Sequence, residues 1–171
     1  TSDGIIAPLF WGLLLGLPGI IFYKAVNTFD SMIGYKTQKY REFGWASARL
    51  DDLVNIIPSR LTCILFSLAS KKTFYVLTVS FQSAKKHRSP NAGWPETAMA
   101  VALNIKLSGP RKYNNRVSNE PWLNPKGTPG KTLDILKALN IYKISVGIFL
   151  LVLLASEIAY IIFVSLTRQG L

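Results

Sequence analysis

The stretch Ile144-Ser-Val-Gly-Ile-Phe-Leu-Leu-Val-Leu-Leu-Ala-Ser-Glu157-Ile-Ala-Tyr-Ile-Ile-Phe-Val-Ser-Leu166 decides the fold class. Glu157 is its one acidic or basic side chain. As an α-helix it rises roughly 35 Å, more than the ~30 Å hydrocarbon core of a bilayer. Arg168 stands just beyond it. A carboxylate in such a span is expensive, so Glu157 is expected near a helix end or turned toward a polar partner. The chain therefore reads as an all-α integral membrane protein with helical and loop segments outside the lipid.

Outward from this span, the rest of the 171 residues divides into blocks of opposite character, which reconciles 49% hydrophobic content with a net charge of +11. Residues 4–23 carry no charge, and Pro8, Pro18 and their glycines predict a kinked helix there. Residues 24–57 form a polar connector that becomes helical. Within it Arg41, Trp45, Arg49 and Asp52 fall on one face, with Tyr40, Phe43, Val54 and Ile57 as spaced apolar positions. Residues 58–82 are apolar but interrupted by Arg60 and Lys71-Lys72. Residues 83–143 are hydrophilic and strongly basic, with eleven Lys or Arg.

The two basic loops flank the 58–82 block, and positive-inside reasoning puts both on the cytoplasmic side. A single crossing between them would separate them. The block is therefore expected to lie in the interface or to re-enter, its lysines snorkelling to water. The chain opens Thr1-Ser2-Asp3-Gly4, with no basic leader before the first apolar stretch, so that stretch is not a signal peptide. It reads as a single membrane domain, the C-terminal part of a longer protein. Cys63, the lone cysteine, lies in an apolar run and is expected to be a small core or lipid-facing residue.

The chemistry belongs to the polar segments. No Walker A loop, dinucleotide fingerprint or paired-histidine motif occurs. Nothing resembles a groove-reading helix or an RNA-stacking sheet, so the basic runs are not read as nucleic-acid binding. Asp51-Asp52 diverge by about 100° on a helix, yet they could lend one or two oxygens to Mg²⁺, which takes few protein ligands. A solvated face with Arg49 paired to Asp52 is the alternative. Lys24, Asn27 and Asp30 could share a face beyond the first apolar block, although Lys24 also suits an interfacial anchor. Pro95 and Glu96 suit the first turn of a helix, with Ala98, Met99, Ala102 and Leu103 as its apolar face. Glu96 is thus a helix-stabilising residue, or a base or metal ligand beside a Trp-rich turn. His87 sits in the run Lys85-Lys86-His87-Arg88 and reads as solvated or headgroup-facing rather than catalytic.

Several strings carry a resemblance. They are Ser2-Asp3-Gly4-Ile5-Ile6-Ala7-Pro8-Leu9-Phe10, Tyr23-Lys24-Ala25-Val26-Asn27-Thr28-Phe29-Asp30-Ser31-Met32-Ile33-Gly34-Tyr35 and Tyr40-Arg41-Glu42-Phe43-Gly44-Trp45-Ala46. Ala48-Arg49-Leu50-Asp51-Asp52, Asn55-Ile56-Ile57-Pro58-Ser59-Arg60-Leu61-Thr62 and Ser89-Pro90-Asn91-Ala92-Gly93-Trp94-Pro95-Glu96 follow. In this order, through most of residues 2–110, the chain resembles the cobalamin-biosynthesis membrane proteins called CobD or CbiB, adenosylcobinamide-phosphate synthases. Val101 and Asn104 interrupt the glycine-containing small-residue run that the family places after its Pro-Glu turn. The 111–130 loop, rich in Pro, Gly and Asn, matches only around Pro121-Trp122.

The resemblance implies an ATP-dependent ligase of an inner membrane, multi-pass, with its polar loops cytoplasmic. It would join adenosylcobyric acid to aminopropanol or its phosphate, using ATP and Mg²⁺, in company with lipid and other corrinoid-pathway enzymes. On that reading Lys24, Asn27, Arg49 and Arg60 bind phosphate or substrate, and Asp51 and Asp52 hold the metal. Glu96 is the general base for the attacking amine, and Asp30 completes the catalytic set. Two other readings remain: a non-catalytic membrane scaffold related to the same family, for which Val101 and Asn104 speak, and a transporter, suggested by Glu157 and the broken first span.

Overall fold

A computed structural model describes residues 1–34, 41–113 and 116–169, without the side chains of residues 41–43, 111–118 and 168–169. Lys36, Lys39 and Tyr40, and the side chains of Arg41, Phe43 and Arg168, lie outside the described residues. A π-helical turn, Ser2–Ile6, leads into α1 (Ala7–Ile33), followed by α2 (Arg41–Val54), α3 (Ile56–Ala69), α4 (Thr73–Ser83) and a 3₁₀ turn, Ala84–Lys86. Helix α5 (Gly93–Ala102) precedes five short strands, and α6 (Thr132–Gln169) closes the chain.

Two helical stretches are long and apolar enough to cross a membrane, Ser2–Ile33 and Thr132–Thr167. The second is a continuous helix whose outer half is exposed nearly all round. The first is not a kinked rod. Gly16, at φ 66° and ψ −151°, takes a backbone region that side chains exclude, and Pro18 opens the returning arm within its first turn. The arms then lie against each other. Trp11 and Phe22 stack edge to face at 6.3 Å, Gly19 presses on the Trp11 carbonyl, and the Tyr23 hydroxyl donates to the Asp3 carbonyl at 3.3 Å. A straight helix would hold residues 3 and 23 about 30 Å apart. Residues 4–23 are therefore a helical hairpin with its ends together.

Helices α2 and α3 meet at a 46° bend at Asn55. Pro58 has no N–H to give the carbonyl four residues back, and the Trp11 indole N–H fills that gap by donating to Val54 O at 3.1 Å. Beyond the bend, the 58–82 block becomes two helices folded back on each other at Ser70–Lys72, with Lys71 and Lys72 exposed at the turn. Cys63, Phe66, Val76, Ala84, Trp94, Ala98, Val101 and Ile141 form the core that α3, α4, α5 and α6 share. Cys63 is thus a core residue. Ile6, Leu65 and Phe149 tie the base of the hairpin to α3 and α6. Ser145 crosses the same interface by donating to the Leu65 carbonyl at 3.1 Å.

The described residues of the 111–130 loop include four short strands. β1 (Ile105–Ser108) pairs antiparallel with β4 (Trp122–Leu123) and parallel with β5 (Thr128–Pro129), while β2 (Arg111–Tyr113) and β3 (Arg116–Ser118) form a separate ribbon. Asn124 at φ 53° is buried, and its amide donates to the carbonyls of Ala100 and Ile105 at 3.2 and 3.0 Å. The fold is all-α with this small sheet attached. Glu157 is exposed on α6 and forms no ion pair among the described residues.

Candidate functional site

Three strings distant in sequence meet where the hairpin base, the α2–α3 bend and the start of α5 come together. They enclose a cavity of about 380 Å³ whose walls include Asp3, Asp51, Asp52, Asn55, Ser59, Asn91 and Glu96. Such a volume suits a small molecule or one end of a larger one.

The floor is a network of neutral amides holding charged groups. Asn55 is almost fully buried, and its Oδ1 accepts from the Tyr23 hydroxyl at 3.0 Å. Its amide donates to the Asp51 carbonyl and to Asp51 Oδ2, both at 3.1 Å. Asn27 donates to the other Asp51 oxygen at 3.3 Å. Asp51 is thus clamped by two amides, one from α1 and one from the α2–α3 bend. Asn91 joins the opposite wall: its amide donates to the Asp52 carbonyl at 2.7 Å, while its Oδ1 accepts from Arg60 at 2.6 Å and from Ser59 at 3.2 Å.

The carboxylates crowd one another. Burial raises the Asp51 carboxyl above its ordinary value; the Asn27 and Asn55 amides pull it back, and the charges of Asp30 and Asp3 push it further up. Burial likewise raises Asp52, against the opposing pull of Arg49. Asp30 is raised by burial and then by Asp52 and Asp3. None of these carboxylates has an ion-pair partner within 4 Å among the described residues. No group of three or more His, Cys, Asp or Glu comes together there to cage a metal. Two hard carboxylates, Asp51 and Asp52, beside open space still fit Mg²⁺, which needs only one or two protein oxygens when waters and phosphates supply the rest.

The sequence-predicted residues divide. Asp51, Asp52 and Glu96 line the cavity. Asn27 and Asp30 stand behind it, the first by hydrogen bond and the second through its charge. Arg60 adjoins it through Ser59 and Asn91, its guanidinium stacked on Trp94 at 4.9 Å and donating to the Ile56 carbonyl at 2.9 Å. Arg49 is exposed and lies over Trp45 at 5.7 Å, so the Arg49–Asp52 ion pair is not formed. Lys24 is exposed and does not line the cavity.

Sequence reasoning passed over Asn55, Ser59, Asn91 and His87. The first three sit in the quoted strings but carry no charge, and so give little signal in one dimension. His87 belongs to a basic run that reads as solvated, yet in the structure its ring is largely buried. Its Nδ1 accepts from the Ser89 N–H at 3.0 Å, and its Nε2 lies 3.7 Å from Glu96 Oε2. The departures at Val101 and Asn104 have local explanations. Val101 fills the core, and Asn104 adopts φ 55° in the turn entering β1. Neither lines the cavity.

A helical membrane protein with a polar, carboxylate-lined cavity at the base of an apolar hairpin is the class that fold and site define. The CobD/Cbib protein family model matches residues 1–142, and the chain belongs to that family. It is 59% identical over 143 residues to a cobalamin biosynthesis protein CobD of Rhodobacter capsulatus, covering 84% of this chain and 46% of the relative. A protein of the same name from Sinorhizobium fredii is 47% identical over 143 residues, covering 80% of this chain and 44% of the relative. One from Rhizobium meliloti is 40% identical over 169 residues, covering 95% and 52%. The chain thus spans about half the length of these curated relatives. No solved structure matches it significantly.

Proposed function

We propose that the cavity is part of the site of an ATP-dependent amide ligase of cobalamin biosynthesis, joining a propionate carboxylate of adenosylcobyric acid to aminopropanol or its phosphate. The observation that supports this reading is the convergence of the adjacent Asp51 and Asp52 with Glu96, 44 residues beyond Asp52 in the chain, on one cavity. A carboxylate is a poor electrophile at neutral pH, so ATP must first convert it to an acyl phosphate or acyl adenylate. Such chemistry rests mainly on positioning and on neutralising phosphate charge.

Asp51 and Asp52 would hold Mg²⁺, which when bound screens phosphate charge. Asn27 and Asn55 fix the Asp51 carboxylate, so its oxygens are aimed before anything binds. Glu96 stands at the cavity wall with a rim-exposed carboxylate, placed to take a proton from an attacking ammonium or amine. Arg60, held by Asn91 and Trp94, offers a fixed cation beside the cavity for a phosphate or carboxylate. Lys24 and Arg49, both exposed, suit the outer approach of an anion. The cavity is far smaller than a corrinoid. It fits the reacting end, with the rest of the substrate held by other parts of the protein, on the cytoplasmic side where ATP is available.

The test is a ligation assay. Full-length protein in detergent receives adenosylcobyric acid, aminopropanol phosphate, ATP and Mg²⁺, and amide product is followed by mass spectrometry. Product that disappears in a folded Asp52→Ala variant supports the ligase. Absence of product from well-folded protein, with a related enzyme active alongside, would move the reading to a non-catalytic scaffold.

A further inference from the structure

The hairpin of α1 has ends that meet and a tip whose leucines are exposed. At its base the Tyr23 hydroxyl reaches the Asp3 carbonyl, and Ala7, Tyr23, Val26 and Val54 form a small buried cluster. At its tip, Leu13, Leu14, Leu15 and Leu17 are 49%, 56%, 56% and 67% exposed. Successive helical residues point about 100° apart, so these leucines are bare in several directions at once. A single protein partner would cover one side of such a tip; a fluid apolar medium covers all of it.

Length decides how far the tip reaches. The arm Ala7–Leu15 rises only about 13 Å, less than half of a ~30 Å hydrocarbon core. Both arms are helical, with their backbone groups bonded within the arms as a lipid environment demands, and Gly16 is the single residue between them with non-helical backbone angles. The returning arm changes character along its length. It is apolar to Tyr23, and from Lys24 on it carries Lys24, Asn27 and Asp30 among its apolar residues. The exposed apolar surface is also continuous with that of the membrane span, because Ile6 and Leu9 pack beside Phe149 and Leu153 of α6.

We propose that residues 4–23 are a re-entrant hairpin that inserts into one leaflet and returns, without crossing the membrane. The occupant of the exposed tip is lipid acyl chain. Asp3 and Lys24 then share one side of the membrane, and the carboxylate cavity sits at the hairpin's base at the lipid–water boundary.

The test uses full-length protein in oriented membrane vesicles, with Cys63→Ser as background and single cysteines introduced by Gly4→Cys, Leu15→Cys and Thr28→Cys. Gly4 has open space where a side chain would stand, and Leu15 and Thr28 are exposed, so the three introduced cysteines lie outside the core, while Cys63→Ser is a near-isosteric change within it that all three variants share. Cysteines at 4 and 28 are expected to react with a membrane-impermeant maleimide from the same side. A bimane on the cysteine at 15 is expected to lose fluorescence when the vesicles contain lipids brominated on their acyl chains. Labelling of the two flanks from opposite sides would overturn the proposal in favour of a span. Failure of either flank to react from the shared side would overturn it as well. Same-side labelling without acyl-chain quenching would also overturn it, because the tip would then be covered by protein or water.

Discussion

Arg60 donates to Asn91 Oδ1 at 2.6 Å, the shortest polar contact in the cavity wall, across 31 residues of sequence. The same Asn91 donates to the carbonyl of Asp52, so one neutral side chain fixes both a guanidinium from α3 and the end of α2 that carries the acidic pair. Replacing Asn91 by Ala leaves the Arg60 cation and the Asp52 carbonyl without these partners. A loss of about 1–3 kcal/mol of stability is expected. Chemical unfolding in detergent measures it, and an unchanged midpoint would show that water takes over both bonds.

Asn55 lines the cavity with its amide donated to Asp51, so on the ligase reading it positions that carboxylate. Asn55→Ala is therefore expected to raise the Mg²⁺ concentration needed for half-maximal ligation by about 10- to 100-fold, as is typical when the support of a metal ligand is lost. Saturating Mg²⁺ should restore much of the rate. A rate loss that excess Mg²⁺ leaves untouched would assign Asn55 a structural role only.

Glu96→Gln keeps the shape of the side chain and removes its basicity. If Glu96 takes the proton of the attacking amine, kcat should fall about 10²- to 10⁴-fold with KM little changed. Steady-state kinetics with purified protein would separate the two parameters. A change confined to KM would make Glu96 a binding residue instead.

The raised carboxyls predict a pH dependence of stability. In the fold, Asp51 and Asp52 hold their protons more tightly than an unfolded aspartate does at about 3.9. Their contribution is thus fully present below that value and is lost as pH rises through the raised folded values. Without divalent cations, the unfolding midpoint should fall as pH rises from about 4 toward neutrality. Adding Mg²⁺ at neutral pH should recover the loss, and Asp52→Asn should flatten the profile. A profile unaffected by Asp52→Asn would mean that other groups dominate.

Gly16→Ala distinguishes hairpin from rod by the sign of its effect. At φ 66° and ψ −151° a side chain is strained, and a loss of about 1–3 kcal/mol is expected. In a straight helix the same change would stabilise by up to about 1 kcal/mol. Thermal or denaturant unfolding in detergent decides between them.

Sequence alone determined the class of this protein and the alphabet of its site. A long apolar run such as 144–166, with Glu157 as its one ionisable side chain, can only be accommodated by lipid or a large core, so the membrane span was legible from composition. The polar strings between the apolar blocks named Asp51, Asp52 and Glu96, and the structure brings those three to one cavity. What sequence could not decide was where the chain turns back. Gly16 and Pro18 are equally at home in a kink and in a reversal, and only contacts such as Tyr23 with Asp3 tell them apart. The same holds for Asn55, Ser59, Asn91 and His87. Neutral or weakly basic side chains carry no strong signal in one dimension. Their roles come from packing that sets Asn55 against Tyr23 and Asn91 against Arg60. Burial makes those contacts matter, because an amide out of water must find its partners in the protein, and tertiary structure alone chooses which.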